Sequence, residues 1–282
     1  MSAPRIPAPP DERLDRLKTV LRGYGSVCIG YSGGVDSVFL AAVALETLGP
    51  ERVLAVTGRS ESYPAVQHRT ALEIVERLGI PHVEIETHEI DDPSYAANPS
   101  NRCYFCKTEL WSVLVPLAHA RGLATVADGS NADDRADHRP GARAGAEAGI
   151  RSPLQEAGLT KADIRALSKR MGLPTWDAPA SPCLSSRLPY GVAVTPARLR
   201  AVEAAEDAVR ALGFREFRVR HHGDCARIEI AAAELGRAAA NCASLAAALR
   251  PAGFERVLLD VEGYRRGALN EGLPLVQLER AS

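Results

Sequence analysis

The first half of the chain alternates short apolar runs with amphipathic stretches. The run SVCIGYS at 26–32 has the length and continuous hydrophobicity of a buried strand. Further predicted strands lie at 52–58, 82–90 and 123–129. Stretches with helical spacing or composition separate them, at 12–22, 38–49, 64–79, 107–121 and 159–174. This alternation predicts an α/β fold with a parallel, doubly wound sheet.

The pattern changes near residue 190. Residues 131–149 read as a polar Gly/Ala-rich loop, and residues 176–191 are rich in proline and serine without periodicity. The segments beyond predict a helix, a hairpin around HHGD, a second helix and a last strand, at 196–213, 214–231, 232–250 and 256–264. We therefore predict a disordered lead at 1–11, an α/β domain at 12–190 and a smaller α+β domain at 191–282.

Composition narrows the classes of protein. The 282 residues carry a formal net charge of −1, with 24% charged and 46% hydrophobic residues, which is ordinary for a soluble globular chain. The charge balance argues against a chain-wide nucleic-acid surface, and the sequence lacks an apolar run long enough for a predicted membrane span. Six cysteines without a secretion signal predict the reducing cytoplasm.

The segment SGGVDS at 32–37 lies where the first predicted strand turns into a helix. Gly33 and Gly34 permit a tight turn whose N–H groups form an anion cradle at the helix N-terminus. Ser32 and Ser37 add hydroxyls, and Asp36 suggests a bound Mg²⁺. The segment matches neither the Walker A nor the GxGxxG pattern. The alternative is a glycine-containing turn that only caps the helix.

SGGVDS resembles the PP-loop of the ATP pyrophosphatases, the adenine nucleotide alpha hydrolase-like enzymes. The resemblance implies that these five loop residues hold the pyrophosphate portion of ATP. It also places Thr57 and Ser60, at the end of the second strand, near the adenosine. Gly129, in DGSNADD after the fourth strand, would face the same site, because ligands bind at the carboxyl ends of parallel strands.

Three of the six cysteines lie in irregular or element-end segments. Cys103 and Cys106 form a CxxC pair in NRCYFCK, and Cys183 lies in SPCLSSR. A helix N-terminus with Arg102 and Lys107 nearby predicts a lowered thiol pKa. Three thiolates suit a [4Fe-4S] cluster with an open fourth iron, but a redox disulfide, or two packing cysteines with one reactive thiol, fit the spacing too. The other cysteines read as packing residues: Cys28, Cys225 and Cys242.

Several motifs together resemble the LarE family, from about residue 26 to 191. They are YSGGVDS, ESYP, NRCYFCK, GSNADDRADHRPG, RSPLQEAGLTKADIR and SPCLSSRLPYG, with FRVRHHGDCARIEI beyond. The resemblance implies ATP-dependent sulfur insertion. A carboxylate of pyridinium-3,5-biscarboxylic acid mononucleotide is adenylated and becomes a thiocarboxylate, for the nickel-pincer nucleotide cofactor of lactate racemase.

The family has two sulfur sources. In one form a single cysteine gives up its own sulfur, and in the other three cysteines hold a [4Fe-4S] cluster that carries an extra sulfide. Cys183 matches the single cysteine, and Cys103 and Cys106 complete the three-cysteine pattern. The resemblance therefore implies the cluster form, with sulfide as the donor. Lys107 is a candidate substrate contact; the alternative is a surface lysine.

Arginines in the second domain are candidates for the substrate phosphate. Arg218 and Arg220 alternate with Phe217 and Val219, so a strand places both on one face, and arginine suits phosphate. The alternative is a solvated sheet face. The LarE resemblance favours phosphate binding at these two residues, and Arg187 in CLSSR is a further candidate. It also implies an oligomer, with 191–282 contributing substrate and subunit contacts.

Other functions fit parts of the pattern. A PP-loop tRNA thiolase also uses cysteines and a cluster, but the net charge of −1 and the lack of a recognisable RNA-binding extension count against it. A nucleotide-binding sensor would not catalyse pyrophosphate exchange. An amidotransferase-like synthetase would need a glutaminase domain, which the sequence does not show. We therefore expect a mononucleotide substrate and no nucleic-acid or membrane partner.

Overall fold

The computed structural model describes residues 9–136 and 140–265. Contacts divide the chain into two compact units that meet in sequence at Cys183 and Leu184, close to the predicted boundary at 190. Residues 1–8 of the predicted lead lie outside the described residues, and the first helix begins at Pro10. No helix within the described ranges has both the length and the apolarity that a membrane crossing requires.

The first unit alternates strands and helices, as predicted. Its strands are β1 (Val27–Gly30), β2 (Val53–Arg59), β3 (His82–Glu86) and β4 (Thr125–Ala127). They form one sheet in the order β3-β2-β1-β4, in which neighbouring strands are parallel. Its helices are α1 (Pro10–Tyr24), α2 (Val35–Leu48), α3 (Ala65–Leu78), α4 (Pro93–Ala96), α5 (Arg102–Ala120), α6 (Pro140–Glu147), α7 (Pro153–Glu156) and α8 (Lys161–Arg170).

The sheet is covered on both faces, which confirms the doubly wound α/β class. Val27 and Ile29 belong to a core shared with α1, α2 and α8, whereas Cys28 belongs to the opposite core with Trp111 and Leu114 of α5. Side chains alternate across a strand, so one short strand contributes to both layers. The fold places the carboxyl ends of all four strands, and the loops that follow them, at one edge of the sheet.

Several predicted boundaries differ from the structure, and two of the differences add helix that was not predicted. Helix α5 begins at Arg102 rather than at residue 107, so the CxxC pair lies inside its first turns. The segment 131–149, predicted as a loop, contains α6 at Pro140–Glu147. Alanine has the highest helix propensity, and proline is well placed at a helix start. These local preferences outweigh the glycines in the segment.

The second unit is a small α+β fold, as predicted. It contains α9 (Pro196–Ala211), β5 (Phe217–His222), β6 (Cys225–Ile230), α10 (Leu235–Ala240), α11 (Cys242–Leu249) and β7 (Arg256–Leu259). Strands β5 and β6 form the predicted hairpin, and β7 adds to β6 in parallel. The helix predicted at 232–250 is divided at Asn241, whose side-chain amide donates to the carbonyl of Arg237 at 2.7 Å. Such local side-chain bonds compete with a continuous helix.

Candidate active site

The phosphate loop lies between the end of β1 and the start of α2. Gly33 has a φ of +67°, which favours glycine, and a Cβ there would lie 2.6 Å from the Cβ of Ala71 in α3. The Ser37 hydroxyl donates to the carbonyl of Gly34 at 3.1 Å and accepts from the N–H of Ser32 at 3.2 Å. The loop is thus a compact turn at a helix N-terminus, where backbone N–H groups and the helix dipole favour an anion.

Asp36 faces a lysine that sequence reasoning missed. Its Oδ2 accepts from Nζ of Lys161 at 2.6 Å, while its Oδ1 is buried without a hydrogen-bond partner. A buried unpaired carboxylate oxygen is unfavourable and suits a hard cation such as Mg²⁺. The backbone N–H of Lys161 donates to Asp133 at 2.9 Å, which fixes the start of α8 beside the loop. The motif LTKADIR contained Lys161 but gave no sign of this partner.

The segment after β4 packs against the start of α2. A Cβ on Gly129 would lie 3.2 Å from the backbone nitrogen of Ser37, which is closer than most side chains pack. The Asp128 carboxylate accepts from the hydroxyls of Ser130 and Ser152 at 2.8 Å each. These contacts hold the segment beside the phosphate loop, where sequence reasoning expected it.

The two candidate adenosine contacts use their hydroxyls within the protein. Thr57 is 2% exposed; its hydroxyl donates to the carbonyl of Tyr31 at 2.9 Å and lies 2.9 Å from Nε2 of His82. The Ser60 hydroxyl donates to Glu89 at 2.6 Å. A nucleotide contact at Thr57 would therefore use backbone groups rather than the hydroxyl.

Glu89 links this edge of the sheet to the cysteines. It follows β3, is 3% exposed, and accepts on one oxygen from Ser60 at 2.6 Å and from Ser62 at 2.9 Å. Its other oxygen is buried without a hydrogen-bond partner, and its charge acts on Cys106. Hydrogen bonds thus tie the end of β2, where α/β sheets bind ligands, to Glu89, and Glu89 lies within electrostatic reach of Cys106. No local motif marks Glu89 in the sequence.

The structure brings the three candidate cysteines into one neighbourhood of the first unit. Cys103 and Cys106 occupy the first turns of α5, and Cys183 lies in the irregular segment after α8. Burial raises the pKa of both α5 cysteines, and the charge of Cys183 raises each further, so the three lie within electrostatic reach. In the described part of the chain, no three His, Cys, Asp or Glu side chains form a ready metal site. The cysteines are therefore near one another without a pre-formed ligand geometry.

The predicted lowering of the thiol pKa is wrong. Burial raises the pKa of Cys106, and the Glu89 carboxylate raises it further. Burial also raises the pKa of Cys103, which keeps exposed surface but is surrounded by protein atoms. Arg102 and Lys107 act in the opposite direction without overcoming burial. Thiolates at these positions would need more positive charge, which a metal centre provides.

The remaining thiols and Lys107 have ordinary surroundings. Cys28 is 0% and Cys225 6% exposed, in the cores of their units, and Cys242 is exposed and donates to the carbonyl of Ala238. None of the six cysteines, all of them described, forms a disulfide. The Lys107 ammonium lies 5.1 Å from the ring centroid of Trp111, so a contact with substrate would have to replace or extend this one.

The candidate phosphate arginines of the second unit form buried ion pairs. Arg187 is 2% exposed and donates two 2.9 Å bonds to Glu206. Arg220 donates to Glu229 at 3.0 and 2.7 Å, and to the carbonyl of Ser186 at 2.8 Å. Sequence reasoning missed both glutamates, because nothing in a strand or helix pattern marks a charged residue as buried. Paired arginines of this kind are held in fixed orientations.

Arg218 lies in the same buried region. It is 7% exposed, as is Arg220, so the alternative of a solvated sheet face is wrong. Its guanidinium donates to the carbonyl of Phe217 at 2.6 Å and lies 4.9 Å from the ring of Tyr264. Burial lowers the pKa of Arg218, and the charge of Arg187 lowers it further. An anion bound beside Arg218 would favour the charged guanidinium and so raise this pKa again.

The loop geometry predicts that Gly33→Ala weakens ATP binding by at least about tenfold, since an L-residue is strained at this φ and its Cβ would lie 2.6 Å from Ala71. Calorimetric titration with a non-hydrolysable Mg·ATP analogue measures the effect. Gly25→Ala is the matched control, because Gly25 has a φ of +75° but a Cβ there would meet no atom within 4 Å. Equal affinities in the two variants would contradict a role for the tight turn.

Known proteins resemble the chain over different lengths. A family model described as NAD synthase matches residues 12–104, and an NH(3)-dependent NAD(+) synthetase of Chlorobaculum tepidum is 35% identical over 27% of this chain and 28% of its own. The family model spans the phosphate loop and the first three strands. These matches identify the first unit as a PP-loop domain.

Two relatives extend over nearly the whole chain. An uncharacterized protein of Synechocystis, slr1717, is 42% identical over 93% of this chain and 98% of its own length. The pyridinium-3,5-bisthiocarboxylic acid mononucleotide synthase of Lactiplantibacillus plantarum is 37% identical over 93% of this chain and 95% of its own. Identity at this level along both units shows common descent for the whole chain. The protein is therefore an enzyme of the PP-loop ATP pyrophosphatase superfamily and belongs to the LarE family.

Proposed function

We propose that the protein inserts sulfur into a pyridinium mononucleotide at the expense of ATP. It adenylates a carboxylate of pyridinium-3,5-biscarboxylic acid mononucleotide and converts it to a thiocarboxylate, during biosynthesis of the nickel-pincer nucleotide cofactor of lactate racemase. One observation carries the proposal. Ser60, at the end of β2, donates to Glu89 at 2.6 Å, and the charge of Glu89 acts on Cys106, so the thiols lie within electrostatic reach of the sheet edge that holds the phosphate loop.

Adenylation is the task of the phosphate loop. Its N–H groups and the hydroxyl of Ser32 bind the pyrophosphate portion of ATP, and the unpartnered Oδ1 of Asp36 binds the accompanying Mg²⁺. The substrate carboxylate attacks the α-phosphorus, and pyrophosphate leaves. The acyl–AMP anhydride formed has a good leaving group where the carboxylate had a poor one. The ammonium group of Lys161, whose Nζ lies 2.6 Å from Oδ2 of Asp36, offsets part of the negative charge of the phosphates.

Sulfur transfer is the task of the cysteines. Soft thiolate donors suit iron–sulfur centres, and Cys103, Cys106 and Cys183 supply three that lie within electrostatic reach of one another. When bound there, a [4Fe-4S] cluster with an open fourth iron would supply the sulfide that replaces AMP on the acyl carbon. The raised pKa of Cys103 and Cys106 favours thiols in the metal-free chain. These thiols must lose their protons when they become ligands.

The second unit supplies positive charge for the substrate phosphate. Among its described residues, the second unit buries three arginines and two glutamates, so arginines outnumber glutamates by one. The excess suits a phosphate monoester. The glutamates fix the orientations of the Arg187 and Arg220 guanidinium groups. A bound anion would stabilise the charged form of Arg218 most, because the charge of Arg187 lowers the pKa of Arg218. We therefore assign the phosphate contact first to Arg218, with Arg220 and Arg187 orienting it.

Two assays on the reconstituted, anaerobic enzyme test the function. With ATP and Mg²⁺, we expect exchange of labelled pyrophosphate into ATP that depends on the dicarboxylate mononucleotide. With sulfide added, mass spectrometry should show replacement of one carboxylate oxygen by sulfur. The control substrate is the corresponding mononucleotide without ring carboxylates, which should support neither reaction. Exchange that is independent of the dicarboxylate would contradict this function.

The sulfur source is tested on the protein after turnover. The cluster route predicts an unchanged mass at Cys183 with iron and acid-labile sulfide bound. Loss of the elements of H₂S at Cys183 would instead show that the cysteine gives up its own sulfur. The substrate reaction is the same in both cases, so this measurement separates the source of sulfur from the function itself.

A further inference from the structure

We propose that Tyr63 and Gln67 are positioning residues of the phosphate loop, which turn the N–H of Gly33 toward the pyrophosphate portion of bound ATP. The inference rests on the ATP-binding step of the proposed function. Tyr63 lies just before α3, and Gln67 lies in its first turn, so neither residue belongs to the loop itself. Sequence reasoning assigned no role to either of them.

One backbone carbonyl of the loop accepts two side-chain hydrogen bonds. The Tyr63 hydroxyl donates to the carbonyl of Ser32 at 3.0 Å, and Nε2 of Gln67 donates to the same oxygen at 2.8 Å. A carbonyl oxygen has two lone pairs, so these two bonds use its full accepting capacity. The Ser32 carbonyl is therefore held in one direction, toward α3.

The direction of this carbonyl determines the direction of the next N–H. The described residues contain no cis peptide bond, and in a trans peptide the C=O and N–H point to opposite sides. With the Ser32 carbonyl directed at α3, the N–H of Gly33 is directed away from it. Within the described ranges this N–H has no hydrogen-bond acceptor. A free donor at a helix N-terminus suits an anion.

The surroundings hold both donors in place. Helix α3 packs so closely on the loop that a Cβ on Gly33 would lie 2.6 Å from the Cβ of Ala71. The Tyr63 ring lies edge-on to His68, with the ring centroids 5.8 Å apart. Burial raises the pKa of Tyr63, so its hydroxyl stays protonated near neutral pH.

The Gln67 amide satisfies the loop better than itself. Its Oε1 is buried and has no hydrogen-bond partner in the described part of the chain, although an unpaired buried acceptor is unfavourable. The carbonyl of Ser32 can only accept, so the amide must present its nitrogen there. A local hydrogen-bonding rule broken in this way is typical of a functional site.

Four variants of the full chain separate phosphate binding from folding. Tyr63→Phe and Gln67→Met each remove one donor with little change of shape, and the double variant removes both. Tyr24→Phe is the matched control, because it removes a hydroxyl that donates to Glu156 at 2.7 Å rather than to the loop. Calorimetric titration uses a non-hydrolysable Mg·ATP analogue, Mg·pyrophosphate and adenosine. Thermal unfolding verifies that each variant is folded.

We expect each single variant to bind the ATP analogue and pyrophosphate about threefold more weakly, since one hydrogen bond to the carbonyl remains. The double variant should bind both at least about thirtyfold more weakly, which exceeds the two single losses combined, because no side chain then holds the peptide. Adenosine should bind all four variants as it binds the wild type. A general loss of structure would weaken adenosine binding as well.

Two results would overturn the inference: an equal loss of affinity for adenosine, or a double variant that binds pyrophosphate as tightly as Tyr24→Phe does. If the double variant does not fold, the single variants decide. A loss for pyrophosphate alone supports the inference, and wild-type affinity in both overturns it. A wild-type chain that binds neither pyrophosphate nor the ATP analogue would overturn the ATP step of the proposed function, and the inference with it.

Discussion

Cys183→Ser is expected to abolish thiocarboxylate formation and to leave substrate-dependent pyrophosphate exchange intact. In the proposed mechanism, adenylation uses the phosphate loop and Asp36, whereas Cys183 takes part only in sulfur transfer. A serine hydroxyl is neither a soft ligand for iron nor a sulfur donor, so both sulfur routes fail. Loss of a nucleophile or of its direct support commonly costs at least about 10³-fold in rate. Mass spectrometry of the product and label exchange into ATP measure the two half-reactions separately.

Cys242→Ser is the matched control for this prediction. Cys183 is half-buried and Cys242 is exposed, and Cys242 lies at the start of α11 in the second unit. The control should retain both half-reactions and its iron. Under the cluster route Cys183→Ser also loses bound iron, whereas under the sacrificial route the iron content does not change. Thiocarboxylate formation at the wild-type rate in Cys183→Ser would rule out both routes.

The sheet of the first unit was predictable because its strands are local signals. A buried strand is a short apolar run between turn residues, and β1, β2 and β4 coincide with such runs to within one or two residues. The start of α5 was not predictable in this way. Its N-cap is Asn101, a favoured residue type at that position that makes no side-chain capping bond here, so one polar residue did not locate the helix start. Five residues of helix, including Cys103, were therefore read as irregular.

The site was predictable only where its parts are close together in sequence. The phosphate loop lies within six consecutive residues, and its combination of glycine, serine and aspartate predicts anion binding. Lys161 and Asp36 are 125 positions apart, and Glu89 lies 29 positions from Ser60. A single sequence contains no signal for such pairings. The prediction of acidic thiols failed for a related reason, since burial, which depends on the fold, raises the pKa of Cys103 and Cys106.

The buried charges of the two units follow one physical rule. A buried charge is costly unless it is paired, and both units contain arginines below 8% exposure. Arg187 and Arg220 are paired with glutamates, and their orientation is thereby fixed before any ligand arrives. Fixed charges stabilise a bound anion without reorganisation. The same pairing makes these arginines important for folding, so a loss of activity on mutation does not by itself identify a phosphate ligand.

Arg187→Met is expected to destabilise the second unit by about 3–5 kcal/mol, because it leaves the Glu206 carboxylate buried without its charged partner. Glu206 is 5% exposed and accepts two 2.9 Å bonds from Arg187, against one of 3.2 Å from the N–H of Val219. Hydrogen exchange of the β5 and β6 peptides under increasing urea reports on this unit directly. The control is Arg256→Met, whose pair with Asp224 is exposed and should contribute no more than about 1 kcal/mol.

The double variant Arg187→Met/Glu206→Leu decides what Arg187 does. Replacing both members of a buried ion pair by apolar residues of similar size usually restores stability, so this variant should unfold close to the wild type. If Arg187 only supports the fold, the Michaelis constant for the mononucleotide should recover with stability. If Arg187 orients the phosphate contact at Arg218, stability should recover while the Michaelis constant stays raised. We expect the second result, because the charge of Arg187 already acts on Arg218 in the ligand-free protein. An Arg187→Met variant as stable as Arg256→Met would contradict the buried pair itself.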